Sequence, residues 1–100
     1  MITVAARVSI KPELRKQAVE AAIKVARATQ SDPGCLQYHF YADLEDPNVL
    51  HVFEEWSSAE TLTAHLQQQH TVEFLAAIGL MAAAAPQVTR YVVSESGPLF

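Results

Sequence analysis

The stretch EEWSSAETLTAHLQQQH, residues 54–70, gathers two carboxylates, the only tryptophan and two of the four histidines of this 100-residue chain. A carboxylate and an imidazole in one desolvated layer can move protons near neutral pH. Burial raises the acid's pKa and lowers the imidazole's, whereas pairing favours both charged forms. General acid–base work is therefore the chemistry to look for. Leu62, His65, Leu66 and Gln69 fall on one side of a helix, so His65 points inward with two leucines. Glu54 and Trp56 share a strand phase with Leu50 and Val52, the more apolar side and hence the one a helix covers. Glu54 and His65 are thus expected in one layer between sheet and helix. At each position a packing role competes: a histidine among leucines is often a satisfied core residue, a buried glutamate a structural acceptor, a strand-end tryptophan core.

Other chemistries are disfavoured. His65 and His70 are five apart, roughly 140° round a helix, so they do not share a face as a zinc-binding pair would, and no metal is expected. No G-x-S-x-G, G-x-x-x-x-G-K or G-x-G-x-x-G occurs, and there are three glycines in all. One cysteine, Cys35, excludes an intrachain disulfide and a cysteine-based zinc site. A net charge of −4 and a pI near 5.4 argue against nucleic acid as a partner. No apolar run is long enough to span a bilayer, and no basic region precedes the apolar start, so a cytoplasmic location is expected by default. His70, at a break between helical segments, reads as a cap or a pocket wall. Tyr38 can reach the pocket layer with its hydroxyl. Arg90 is the one cation that could join it, but two strand phases are open, Val88/Arg90/Val92 and Thr89/Tyr91/Val93. The acidic run DLED, residues 43–46, reads as a solvated turn rather than a calcium site.

The elements that must position these groups follow from periodicity. Residues 2–10 alternate, with Ile2, Val4, Ala6, Val8 and Ile10 on one face of a strand. Pro12 opens a helix running to about Ser31, and SDPG ends it. Residues 35–45 form a second strand with Leu36, Tyr38, Phe40, Ala42 and Leu44 on one face. A turn at EDPN leads to a third strand over 48–56. Ser57 and Glu60 form a capping box for a helix to about Gln69, followed by a further helical stretch that Pro86 closes. Residues 87–97 supply a fourth strand. The order β-α-β-β-α-β is the ferredoxin-like unit of the α+β class, one domain over 1–100, with the third strand between the first and second.

Helices cover one face of such a sheet. The other would show Ala5, His39, Tyr41, Val49, Phe53, Tyr91 and Val93, with His51 among them. That is too aromatic for a solvated surface, so a homodimer packed sheet face to sheet face is expected.

DPGCLQY (32–38), FEEW (53–56) and AHLQQQH (64–70) together resemble the antibiotic biosynthesis monooxygenase superfamily, over nearly the whole chain. The resemblance implies a homodimer of ferredoxin-like protomers forming a dimeric α/β barrel, with a pocket between sheet and helices in each. It implies oxidation of a quinol or polycyclic phenol by molecular oxygen as co-substrate, with no flavin, haem or metal. His65 assisted by Glu54 would be catalytic; Tyr38, Trp56, His70, Leu62 and Leu66 would bind substrate. The haem-degrading branch is disfavoured because Ala6 and Arg7 stand where it has an asparagine, and His65 where it has a tryptophan. Two alternatives remain: an isomerase of a small phosphorylated sugar, needing a clamp for which only Arg7 and Arg90 offer themselves, and a non-catalytic stress-related barrel binding a hydrophobic ligand.

Overall fold

The computed structural model describes residues 1–100. Its elements are β1 (Ile2–Ser9), a 3-10 turn (Pro12–Leu14), α1 (Arg15–Thr29), β2 (Cys35–Ala42), β3 (Val49–Trp56), α2 (Ala59–Leu66), α3 (Gln69–Met81) and β4 (Gln87–Val92). The sheet runs β2-β3-β1-β4, and every neighbouring pair is antiparallel. This is the expected ferredoxin-like topology with β3 between β1 and β2.

Alternation decides which side chains meet the helices. Ile2, Val4 and Val8 of β1 are buried, as are Leu50, Glu54 and Trp56 of β3. Against them α1 lays Ala18, Ala22, Val25 and Ala26, a stripe whose small residues let the helix come close. One apolar cluster centres on Trp56 with Tyr38, Val25 and Leu62; a second joins Val8, Ile10, Ala18, Leu50 and Ile78. Trp56 is fully buried. At about 25 cal/mol per Å² and roughly 150–250 Å² for an aromatic side chain, that contributes at most roughly 4–6 kcal/mol.

Several boundaries and phases differ from the expectation. A β-bulge between Cys35 and Gln37 puts both Cys35 and Tyr38 on the helix side and turns Leu36 out, where it is exposed. Leu44 lies beyond β2 and is also exposed. The capping box sits one residue later than expected. The Ser57 N–H is spent on the Gly34 carbonyl at 2.9 Å, so Ser58 takes the cap. Its Oγ accepts from Thr61 N–H at 3.2 Å, and Thr61 Oγ1 accepts from Ser58 N–H at 3.3 Å. The last helix stops at Met81 because Ala82 bridges to Ile10 and Ala83 N–H bonds the Ser9 carbonyl. β4 ends at Val92, so Val93 lies outside the sheet proper.

On the outer face Phe53, Tyr41 and Tyr91 are exposed, but Val49 is not. Its N–H and carbonyl are both engaged by the Asp43–Asp46 turn, and the side chain is 1% exposed. In that turn Asp43 Oδ1 accepts from the backbone of Glu45 and Asp46, while Oδ2 pairs with His51 at 2.8 Å. The DLED carboxylates thus hold a turn, as their sequence suggested.

Candidate functional site

Between the sheet and α2–α3 lies a cavity of about 330 Å³, most of whose lining is hydrophobic. Arg7, Tyr38, Glu54, His65, Thr71 and Arg90 supply its polar groups, and Leu62 and Leu66 of α2 border it. Leu62 is buried, whereas Leu66 is half exposed at the rim. Val4↔Arg90 register settles the phase of β4: Val88 and Arg90 face the cavity, and Tyr91 faces out.

His65 is 3% exposed and leans on aromatic rings. Its ring centroid lies 4.5 Å from that of Trp56 and 5.5 Å from that of Tyr38. Its Nδ1 is 2.9 Å from Asp32 Oδ2 and 3.2 Å from Thr71 Oγ1. With Asp32 ionised, Nδ1–H donates to the carboxylate, leaving Nε2 as the nitrogen a ligand can use. Burial pushes the imidazole below its ordinary value of 6.5; the bond to and charge of Asp32 pull it up, and His70 pushes it down again.

Asp32 is the residue that sequence reasoning passed over. It sits in the turn after α1, its N–H on the Thr29 carbonyl and its own carbonyl taking Cys35 N–H. Gly34, at φ 78, allows the chain to double back beneath α2. A signal was present: an acid just past a helix C-terminus faces the negative end of the dipole, so a buried one must have a donor elsewhere.

It has two donors. His70 Nε2 is also 2.9 Å from the same Oδ2. The expectation that His65 and His70 diverge assumed one continuous helix. The chain breaks after Leu66, where Gln67 and Gln68 N–H groups reach back three residues, and α3 restarts at Gln69 in a new direction. His70 then meets Asp32 from the first turn of α3, its ring 6.2 Å from that of His65. Asp32, His65 and His70 bring three metal-competent atoms within 4.8 Å of one another. His70 borders a second, smaller cleft beside Lys24 and Glu73, not the main cavity.

Glu54 stands in the cavity layer with His65, but the carboxylate that His65 touches is Asp32. Glu54 Oε1 instead accepts the Trp56 indole N–H at 2.9 Å. Burial raises its pKa, and the indole bond offsets part of that. Trp56 lies under the cavity rather than in its wall, fastening Glu54 and backing His65. Burial, then Glu54, pushes the Tyr38 phenol well above its ordinary value, so it stays a neutral donor. Cys35 is likewise raised, by burial and then Asp32 and Glu54, and is a poor nucleophile.

The profile of the antibiotic biosynthesis monooxygenase family matches residues 1–77. The chain belongs to that family. A solved antibiotic biosynthesis monooxygenase superposes with a TM-score of 0.89 at 24% identity, covering 95% of this chain and 100% of that one. A conserved protein from Methanosarcina mazei Go1 is 26% identical, with a TM-score of 0.87 over 90% of this chain and 89% of its own. Protein sll1783 of Synechocystis (strain PCC 6803), described as uncharacterized, is 26% identical over 98% of this chain and 67% of its length. The two solved structures share the α+β ferredoxin-like fold found here.

Proposed function

We propose that the protein is a monooxygenase that oxidises a quinol or polycyclic phenol with molecular oxygen, using no flavin, haem or metal, and that it acts as a homodimer. The observation that carries the reading is a base inside an apolar cavity: His65, buried, its imidazole pushed below the ordinary value by burial, with Nδ1 held by Asp32. Membership of the monooxygenase family supports it.

His65 Nε2 takes the phenolic proton, and Asp32 stabilises the imidazolium that results. The phenolate gives one electron to oxygen. Substrate radical and superoxide combine at carbon, forming the C–O bond, and the imidazolium returns its proton to give a hydroperoxide. Loss of water from that group leaves a carbonyl, so one oxygen atom enters the product and the other leaves as water. The chain's own contribution is the base, the neutral Tyr38 donor and a cavity that keeps water from the radical pair.

Oxygen uptake by metal-stripped protein with a panel of hydroquinones and anthrones tests this. Uptake above autoxidation is expected, falling 10²-fold or more in His65→Ala, on the order of what a general base contributes. No uptake with any member, or full uptake by the mutant, would count against the oxygenase and the base respectively.

A further inference from the structure

The register of the sheet sorts the cavity floor into rows. Tyr38 stands opposite Glu54, Glu54 opposite Val4, and Val4 opposite Arg90. The next row is Phe40, Val52, Ala6 and Val88, again paired strand to strand. All eight residues border the cavity. The floor is therefore polar along one edge and wholly apolar behind it, with the small Ala6 leaving room above the second row.

The two ends of the polar row differ in kind. At the β2–β3 end are a hydroxyl and a carboxylate, beneath His65. At the β4 end is a guanidinium, two strand spacings from Glu54, or about 10 Å at the backbone. The chain's three ion pairs all use histidine, so Arg90 has no carboxylate partner. An unpaired guanidinium at the margin of an apolar cavity is a fork waiting for a carboxylate, which it binds through two parallel hydrogen bonds. Position 90 also lies beyond the residues that the family profile matches, so family membership says nothing of it.

Resting on the reading of this cavity as a phenol site, we propose that Arg90 is its specificity residue. The substrate is then a fused-ring phenol that carries an anionic group, a carboxylate by preference, along the same edge as its hydroxyl. The rings lie on the apolar second row, the hydroxyl reaches His65, and the acid reaches Arg90. Two or three fused rings are the natural spacer for this separation, and a single ring is too short.

The test measures binding under anaerobic conditions, where turnover plays no part. A hydroxynaphthoic acid and the naphthol lacking its carboxyl group are titrated by ligand fluorescence against wild-type protein, Arg90→Gln and Arg90→Lys. The acid should bind wild-type protein on the order of tenfold tighter than the naphthol, the gain of a charge-assisted contact. Arg90→Gln should erase that preference and leave naphthol binding unchanged; Arg90→Lys should keep part of it. Equal affinities, equal weakening of both ligands in Arg90→Gln, or no binding of either ligand overturns the proposal. An unchanged preference for the acid in Arg90→Gln also overturns it, leaving Arg90 as a cation that guards an edge strand. Acid preference without any oxygen uptake would sink the oxygenase and leave this inference standing.

Discussion

At the scale of single residues, titration separates the roles of three buried groups. His65 is held below 6.5 by burial, so the acid limb of kcat/KM for oxygen uptake should fall below that value. Asp32 acts in the opposite sense and raises the imidazole. Asp32→Asn should therefore move the limb to still lower pH, while the plateau drops because the tautomer is no longer held. A limb that climbs in the mutant contradicts the assignment. Glu54 titrates the other way. Its folded pKa is raised, so its contribution to stability is complete below the ordinary 4.5 and is lost as pH rises through the raised value. Glu54→Gln keeps an acceptor for the Trp56 indole and removes that loss. Its Tm should exceed the wild-type value by a few degrees at pH 8, with the gap closing towards pH 4 in thermal melts. The inward placing of Glu54 and His65 was legible because strand and helix periods are local. Asp32 was not, because its partners are 33 and 38 residues away in sequence.

At the scale of elements, the site depends on how two short connections turn. Gly34 takes φ 78, and a Cβ there would run into the Thr61 side chain on α2. Gly34→Ala should cost about 1–3 kcal/mol from backbone strain alone, more with the collision, read from urea unfolding. Because Asp32 and Thr61 lie on the two sides of this contact, the single mutant should also weaken the Asp32–His65 bond and with it turnover. The sequence marked the SDPG turn but not its fit against α2. The same holds for the bulge after Cys35, which follows from pairing with β3 rather than from alternation within β2. The break at Gln67–Gln68 was visible as the end of one periodic pattern, yet its angle, which brings His70 to Asp32, is set by how α3 packs on α1. Local pattern places residues on faces. Long-range packing decides which faces meet.

At the scale of the whole molecule, the outer sheet face and the open β4 edge matter most. Rows of the outer face read Tyr41–His51–Arg7–Gln87, His39–Phe53–Ala5–Thr89 and Gln37–Glu55–Thr3–Tyr91, so aromatic rings are spread among polar groups. The proposed dimer buries this face. Sedimentation should give twice the chain mass, and Phe53→Lys, at the centre of the middle row, should shift the species towards monomer. A single-chain mass for the wild type would remove that part of the reading. The topology itself was legible, since the strands and helices announced their periods, Pro, Gly or Asp marked most of the turns and a serine cap marked the start of α2. The cavity was legible only as a layer, because its volume depends on side chains from six elements closing round it.

The indole stacked 4.5 Å from His65 is the only one in the chain, and it is wholly shielded from solvent. An imidazolium accepts an electron from an excited indole, whereas the neutral ring does so poorly. The emission of Trp56 should therefore dim as the protein is acidified through the His65 transition, and stay flat in His65→Gln. The molecule would carry its own optical reporter beside the proposed proton acceptor, readable in the absence of any substrate.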